Sequence, residues 1–320
     1  MAALAEPSTP PRHPFRMARS LRLLLAAFCV VVTSACHEEN KTARNLIRSC
    51  DSGDAAACNR IALRFQKGEY VLRDAERAAA LYGRACTGGV GDACASLGVL
   101  YQRATGVKPD SVRAARLFQD GCDRGGLAGC TQLGVLHQAG LNVPRDADRA
   151  ATLYRRACDG NNVEGCAKLG ALYATGIGVP RDFARAAELF RRACGTDTTT
   201  TFGCTGLARL HAEGVGVPRN DSTAVKLFER ACRRTDEREA CFEWAKLVEA
   251  GRGTVQNFQR AARLYREGCE ERHAESCFRL SEMMTTGAGT WRDPREAARY
   301  RRMACQGGYA EACIRPKATS

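Results

Sequence analysis

The cysteines of this chain recur at regular intervals, and this regularity constrains the fold more than any other sequence feature. Sixteen of the 18 cysteines form eight pairs, whose members are eight residues apart except for one separation of ten and one of nine. From the second cysteine of one pair to the first cysteine of the next, the interval is always 28 residues. A constant period near 36 residues is typical of a solenoid of stacked repeats. The pairs are Cys50/Cys58, Cys86/Cys94, Cys122/Cys130, Cys158/Cys166, Cys194/Cys204, Cys232/Cys241, Cys269/Cys277 and Cys305/Cys313.

Each 28-residue interval has the pattern of two helices joined by a turn. In the interval Cys166–Cys194, Leu172 and Tyr173 belong to an apolar set at helical spacing. Gly176 follows, and glycine suits the left-handed backbone that ends a helix. Asp182 comes next, and its short side chain can accept hydrogen bonds from the free N–H groups of a second helix. The interval therefore predicts a helical hairpin.

All seven intervals have the same residue types at the positions where the helices end and begin. Gly or Ala ends the first helix, Asp or Asn precedes the second, and alanine always stands four residues after that Asp or Asn. A position closed to larger side chains indicates two helices in close contact. One hairpin buries too little apolar surface alone, so neighbouring hairpins must supply the core. We predict an all-α fold, a right-handed α/α superhelical solenoid of about seven disulfide-clipped hairpins, spanning residues 42–313 with a tail over 314–320.

The N-terminal segment has the layout of a secretory signal. Arg16 and Arg19 precede a short apolar run over residues 21–32, which ends in small residues before a cysteine. We predict a signal peptide over residues 1–35, with Met17 as an alternative start. Export would place the remaining cysteines where disulfides persist.

The cysteine that follows this signal makes it similar to a lipoprotein signal. We predict that Cys36 is lipidated and heads a linker over residues 36–41, although Thr33 stands where lipoprotein signals usually have leucine. Cleavage without lipidation is the alternative. The predicted location is the bacterial periplasm or outer membrane, or the medium, with membrane attachment through the lipid anchor only.

Two disulfide pairings and a metal site are compatible with the cysteine count. Pairing across the short turn, as in Cys158 with Cys166, is the interpretation we favour. Pairing within a hairpin, as in Cys166 with Cys194, is the competitor, because both residues lie at the same end of the hairpin. Structural zinc usually needs shorter Cys-x-x-Cys spacing and four converging ligands, so we predict no metal and no cofactor.

The run CAKLGALYATGIGVPRDFARAAELFRRAC and its six relatives resemble the Sel-one-like repeat, which is related to the tetratricopeptide repeat. The resemblance covers about residues 42–313, and the paired cysteines make it similar to the cysteine-rich branch labelled Hcp-type β-lactamases. Because a stacked array offers one long concave surface, we predict a scaffold that binds protein or peptide partners in the cell envelope. The family label also implies an alternative, β-lactam hydrolysis or penicillin binding, with a β-lactam or peptidoglycan fragment as ligand. Units six and seven depart from the pattern at Val248, Met284 and Arg301.

Motifs for the alternative enzyme are missing from the sequence. A serine enzyme of that kind needs Ser-x-x-Lys and Lys-Thr-Gly, and neither is present. The nearest approach, Thr223 to Lys226, falls in the first turns of a predicted second helix. We therefore assign no catalytic residue.

One repeat position on the first helix offers candidate binding residues. It is occupied by Tyr101, His137, Tyr173 and His211. First helices form the concave wall in related repeat folds, and these side chain types are effective contact residues. We predict that these four residues line a concave binding surface, with a half-buried structural ring as the alternative.

The chain is strongly basic, with a formal net charge of +13. Arginines recur near the ends of the second helices, as in Arg155-Arg156, Arg191-Arg192 and Arg301-Arg302. Most of them are expected to be solvated, since cations are favoured at a helix C-terminus. Export argues against nucleic acid as a partner, whereas anionic envelope polymers or lipid headgroups are accessible.

Overall fold

The computed structural model describes residues 41–195, 203–235 and 238–314. The predicted signal, Cys36, most of the C-terminal tail and the threonine-rich turn over residues 196–201 lie outside these ranges. Every regular element within them is a helix, as predicted. No helix of the described ranges combines the length and the apolar character needed to cross a membrane. The helices are α1 (41–51), α2 (Ala55–Lys67), α3 (Ala75–Thr87), α4 (Gly91–Arg103), α5 (Ser111–Asp123), α6 (Leu127–Ala139), α7 (Ala147–Asp159), α8 (Val163–Thr175), α9 (Phe183–Cys194), α10 (Cys204–Glu213), α11 (Asp221–Thr235), α12 (Arg238–Ala250), α13 (Phe258–Glu270), α14 (Ala274–Thr286), α15 (Pro294–Gln306) and α16 (Ala310–Cys313).

The helices form the repeated hairpins that the cysteine spacing predicts. Even-numbered helices from α2 to α14 are the first helices of the hairpins, and odd-numbered helices from α3 to α15 are the second helices. The chain divides into two compact units, Met1–Gly88 and Gly89–Ser320. The first unit contains α1, which precedes the first hairpin, and the hairpin α2/α3. The second unit contains six hairpins and the short α16.

A single polar residue starts each second helix. Asp182 has an extended backbone, and its side chain accepts a hydrogen bond from the N–H of Arg185 at 2.9 Å. The same bond, at 2.8 to 3.0 Å, is made at every predicted cap. Each cap satisfies an N–H group that has no partner within the helix. The predicted caps are therefore confirmed: Asp74, Asp110, Asp146, Asp182, Asn220, Asn257 and Asp293.

The turn of each hairpin closes on the same two backbone groups. Gly176 ends α8 with a left-handed φ of 76°, as predicted. The N–H of Asp182 then donates to the carbonyl of Tyr173 at 2.9 Å, which ties the cap of the second helix to the end of the first. The equivalent bond occurs at Val248 and Met284, where the expected aromatic residue is replaced. The substituted units therefore close their turns like the others.

Rings from the second helices fill the interior of the hairpins. Phe118 and Tyr154 are fully buried and lie against Gly98 and Gly134 of the first helices. A Cβ atom added at either glycine would approach the ring to within 2.7 Å. The invariant alanine beside the cap is at most 4% exposed in every hairpin, which confirms the predicted close contact. The small glycine and alanine residues thus leave space for the aromatic rings, and the rings supply buried apolar surface inside these hairpins.

Disulfides join consecutive hairpins of the second unit. Cys158 at the end of α7 is bonded to Cys166 in α8, and both residues are buried. The same short-range pairing joins seven of the predicted pairs. Cys86 and Cys94 are each disulfide-bonded as well. Because a sulfur atom forms one disulfide, the competing pairing of Cys166 with Cys194 is wrong.

Several of the bridging cysteines are also core residues. Cys58, Cys130 and Cys277 are each at most 2% exposed. Cys130 packs in an apolar cluster with Ala157. The physical reason is their position near the start of a first helix, on the face that the preceding second helix covers.

The sulfur atoms of these three cysteines lie close to backbone carbonyls. The Sγ atoms of Cys58, Cys130 and Cys277 are 3.6, 3.8 and 3.7 Å from the carbonyl oxygens of their disulfide partners. A thiol at this place could donate a weak hydrogen bond. The oxidised sulfurs carry no proton, so the contacts are packing contacts and add no hydrogen bond.

Arginines add a second link at several of these junctions. Arg192 in α9 donates to the carbonyl of Cys158 at 2.9 Å, and Arg230 in α11 donates to the carbonyl of Cys194 at 2.8 Å. Each guanidinium thereby meets the negative end of the preceding second helix. Arg301 donates to the carbonyls of Ala312 and other residues around α16. Arg192 is nevertheless exposed, as expected for most of these arginines, whereas Arg301 is half-buried.

The disulfides predict a local contribution to stability. Replacing Cys158 and Cys166 together by alanine removes an eight-residue cross-link, which should lower the free energy of unfolding by about 2–3 kcal/mol. Urea denaturation followed by circular dichroism measures the change. The reduced wild-type protein is the control, and it should be at least as unstable as the oxidised variant. Equal urea midpoints for the variant and the oxidised wild type would contradict this assignment.

Candidate functional site

Successive first helices of the second unit line one side of the stack. Helix α4 contacts α6, α6 contacts α8, and α8 contacts α10, with the contact becoming less extensive along this series. Contacts between successive second helices are weaker than any of these. The first helices from α4 to α10 are therefore the inner layer, and the spaces between them widen toward α10.

A groove of about 750 Å³ lies between α8 and α10. Its floor is apolar and contains Ala171, Ala174 and Leu210 from the first helices, together with Phe190 from α9. Its edges carry both signs of charge, with Lys168 and Arg209 facing Glu164, Glu213 and Glu239. This combination of an apolar floor and a polar rim is the common form of a binding site for a side chain or small group.

The α8–α10 groove exists because two positions that hold long side chains in other repeats are small here. Eight residues after the second cysteine, the chain has Gln102 and Gln138 in earlier repeats but Ala174 at the groove. Gly206 likewise takes a position that Lys168 occupies one repeat earlier. With these side chains shortened, the ring of Phe190 forms the bottom of the groove.

The second groove, of about 560 Å³, lies between α10 and α12 and extends to α14. Phe228 of α11 and Leu247 of α12 contribute apolar surface, and Ala212 holds the position of Ala174. The remaining wall is charged. The two grooves share Arg209 and Glu213 on α10, so α10 forms the ridge between them.

A hydrogen-bonded cluster fixes the far wall of the α10–α12 groove. Arg279 on α14 donates to both carboxylate oxygens of Glu249, at 2.8 and 3.0 Å, and pairs with Glu282 at 2.7 Å. The hydroxyl of Tyr265 donates to Glu249 at 2.8 Å. Burial, reinforced by this carboxylate, raises the pKa of Tyr265 well above its usual range, so the hydroxyl stays protonated and remains a donor.

A carboxylate at the start of α11 ties two consecutive hairpins together. Asp221 accepts hydrogen bonds from Arg252 at 2.7 and 3.1 Å and from Arg219 at 3.1 and 3.4 Å. The hydrogen bond from Arg252 and then that from Arg219 lower the pKa of Asp221 to about 2. Arg252 also lines the α10–α12 groove, so this ion pair positions part of its wall.

The four predicted binding residues lie elsewhere on the first helices. Tyr173 is buried, and its hydroxyl lies within hydrogen-bond distance of Arg155 on α7 and Arg185 on α9. The guanidinium of Arg113 lies over the ring of Tyr101 at 4.6 Å. These arginines belong to second helices, so the two rings face the second helices.

The two histidines at this position contact their own hairpin turns. His137 is 4% exposed, and its Nδ1 lies 3.0 Å from the carbonyl oxygen of Pro144. His211 is half-buried and makes the corresponding contact with Pro218 at 3.3 Å. Tyr101, His137, Tyr173 and His211 are all absent from the linings of the two grooves. Their role in binding stays a prediction, and the structure places them where they hold turns and neighbouring helices.

Sequence analysis missed a correlation that locates the grooves. Where the second-helix ring is Tyr154 or Tyr265, the first helix supplies Gln138 or Glu249 to accept from its hydroxyl, at 2.9 and 2.8 Å. Tyr82 is matched in the same way. Where the ring is Phe190 or Phe228, the matching residue is alanine and a groove opens. Comparison of these two positions between repeats could have predicted both grooves.

One further histidine has a structural role that the sequence did not predict. His273 caps α14, since its Nδ1 accepts from the N–H of Ser276 at 3.3 Å. Its Nε2 lies 3.7 Å from Glu239, which also pairs with Arg209 at the α8–α10 groove. Among the described residues, no group of three or more His, Cys, Asp or Glu side chains is arranged to hold a metal ion.

The repeat geometry matches a known family along most of the chain. The Sel1 repeat model matches seven consecutive segments, 55–90, 91–126, 127–162, 163–194, 201–236, 238–273 and 274–309. The chain belongs to the Sel1 repeat family. Among curated proteins, none matches the sequence significantly.

Solved structures of Sel1 repeat proteins are similar to this chain. The protective antigen c5321 of uropathogenic Escherichia coli has a TM-score of 0.65 and 23% identity, over 84% of this chain and 57% of the antigen. A Sel1 repeat protein from Oxalobacter formigenes has a TM-score of 0.61 and 21% identity, over 85% of this chain and 78% of its own length. The cysteine rich protein B of Helicobacter pylori is 27% identical over 38% of this chain and 87% of its own length, with a TM-score of 0.32. The first two similarities show the fold, and this chain spans little more than half of the first relative.

The ion pair at Asp221 predicts a pH dependence. Because its pKa is lowered in the folded state, its contribution to stability is present above the ordinary carboxyl pKa and is lost as the pH falls from about 4 to about 2. Thermal unfolding between pH 6 and pH 2 should show a steeper loss for the wild type than for Asp221→Asn, since the amide cannot titrate. A matched change, Asp148→Asn on an exposed face of α7, should lose thermal stability with falling pH as steeply as the wild type does. Parallel pH profiles for wild type and Asp221→Asn would contradict the assignment.

Proposed function

We propose that this protein is a binding scaffold that holds peptide segments of other proteins in the grooves between α8, α10 and α12. The observation that carries the proposal is the pair of adjacent grooves with aromatic floors, at the two hairpins where alanine replaces the longer residue. The Sel1 repeat family fits a protein-binding role. Stacked repeats commonly recognise partners through such extended surfaces.

The chemistry of the grooves favours a peptide with apolar side chains between charged ones. Phe190 and Phe228 offer aromatic surface that an inserted apolar side chain can cover. The shared ridge on α10 presents Arg209 and Glu213, one charge of each sign. Charges on the rim select the register and orientation of a peptide more than they add affinity. The preferred segment therefore has two apolar side chains that flank polar or charged residues.

The location of the protein is part of the proposal. Its many disulfides indicate an oxidising environment outside the cytoplasm. Together with the signal pattern before Cys36, they support export to the bacterial envelope, with a lipid anchor on that cysteine. Partners would then be envelope proteins or exported peptides. No feature of the two grooves, as lined by the described residues, favours β-lactam hydrolysis.

Filling the grooves tests the proposal. Ala174→Gln and Ala212→Gln introduce the residue that Gln66, Gln102 and Gln138 provide at this position, so the fold should tolerate them. Peptides selected from a displayed random library on the oxidised wild-type protein should bind the double variant about tenfold or more weakly, as expected for loss of a buried anchor contact. Affinities are measured by isothermal titration calorimetry on synthetic peptides.

A matched control separates the grooves from the rest of the surface. Ala184→Gln adds the same side chain at an exposed position of α9, outside both grooves, and should leave the affinities unchanged. The reverse change, Gln138→Ala, should open a new apolar site above Tyr154 without affecting the selected peptides. Peptides that bind the double variant as tightly as the wild type would refute the groove as the binding surface.

A further inference from the structure

Three apolar side chains are exposed at or beside the hairpin turns that precede α13 and α15, and one of them, Phe258, also lines the α10–α12 groove. Val255 is 86% exposed, Phe258 is 40% exposed and Trp291 is 91% exposed. The turn that carries Trp291 rests on the start of α13, because Gly289 lies directly against the backbone of Phe258. Val255 and Trp291 hold the same position in consecutive hairpins, where three earlier hairpins have Pro144, Pro180 and Pro218. Exposure of an isolated apolar residue needs no explanation, but an almost fully exposed tryptophan with further exposed apolar residues at neighbouring turns does.

Several arginines lie near Trp291 in space or in sequence. Arg263 and Arg266 of α13 line the same shallow depression of about 540 Å³ as Trp291. Arg292 follows the tryptophan directly, and Arg295 lies in the first turn of α15. Among the residues that the structure describes, no carboxylate forms an ion pair with these four arginines.

The positions of two of these arginines do not favour the fold. Arg292 and Arg295 flank Asp293, the N-cap of α15, where the partial positive charge of the helix N-terminus disfavours cations. The carboxylate of Asp293 is engaged with the N–H groups of Arg295 and Glu296, at 2.9 and 3.0 Å. Glu296 pairs with Arg299. The positive charge around Trp291 is therefore left for an external anion.

We propose that Val255, Phe258, Trp291 and the arginines Arg263, Arg266, Arg292 and Arg295 form a tryptophan patch that docks on the anionic surface of a lipid bilayer. Tryptophan is favoured at the level of the lipid headgroups, where its ring is half in apolar and half in polar surroundings. Cations next to it gain from the negative potential of an anionic leaflet. A soluble polyanion would satisfy the arginines but would leave the three apolar side chains in water, so the combination favours a membrane.

The two tryptophans of the chain allow a direct test. Trp244 is 3% exposed and should report no change, whereas Trp291 should leave water on docking. Addition of vesicles of phosphatidylcholine mixed with phosphatidylglycerol to the oxidised full chain should shift the emission to shorter wavelength. Vesicles of phosphatidylcholine alone should give little shift, and added salt should weaken the response. In Trp291→Phe the emission shift should disappear.

Flotation with the same vesicles measures the contribution of each part. Arg263→Gln combined with Arg266→Gln should lower the partition coefficient by roughly tenfold or more, since each basic residue near an anionic surface contributes a severalfold effect. Trp291→Ala should lower it on the order of tenfold. The matched control, Arg145→Gln combined with Arg181→Gln, removes the same charge from turns of two earlier hairpins and should have a much smaller effect. Every variant has the same N-terminal segment, so differences between variants report the patch.

Several outcomes would overturn the proposal. One is the same emission shift with neutral and anionic vesicles, or no shift with either. Another is a response of Trp291 to soluble polyphosphate but not to vesicles, which would assign the patch to a soluble polyanion. Equal losses in the patch variant and in the control variant would show that net charge alone drives the association. The peptide grooves are unchanged in all these variants, so failure here leaves the groove proposal standing.

Discussion

The structure depends on joining units that are not stable alone. A two-helix hairpin buries one apolar face against its partner and leaves others that only a neighbouring hairpin can cover. In this chain the junction is covalent as well as apolar, because disulfides such as Cys158–Cys166 connect the end of one hairpin to the start of the next. Arginines such as Arg192 add a charged hydrogen bond at the same place. The sulfur bridge limits how far adjacent hairpins can separate, and the remaining contacts then form within a restricted geometry.

The grooves follow from small departures from this regular plan. The cysteine separation is longest, ten and nine residues, at the junctions before α10 and α12, and the grooves border these two helices. At the same hairpins, Phe190 and Phe228 lack the hydroxyl that binds a glutamine or glutamate in three other hairpins, and the matching residue is alanine. The glutamine or glutamate side chain that covers the ring in those hairpins is therefore missing, and the aromatic surface is open. A repeated fold can acquire a site in this way without changing its core.

The sequence predicted features that repeat and missed features that occur once. Cysteine spacing, cap residues and glycine turns predicted the hairpins and the disulfide partners. Each of these patterns depends on residues that are close in sequence, and each recurs from hairpin to hairpin. The candidate binding residues were chosen from one helical position, but orientation around a helix depends on which face the neighbouring helices cover. Tyr173 therefore meets Arg155 and Arg185 instead of the α8–α10 groove. The grooves were predictable only from two positions compared between repeats, Phe190 with Ala174 and Phe228 with Ala212.

The placement of the disulfides also determines how the chain responds to force. Each bridge closes a loop of only eight to ten residues, so tension passes through the sulfur atoms and bypasses that loop. Between bridges lies a constant interval of 28 residues, which can extend to at most about 100 Å. A chain stretched from its ends while oxidised would therefore lengthen in increments of one size, and the short loops that the bridges close would not extend.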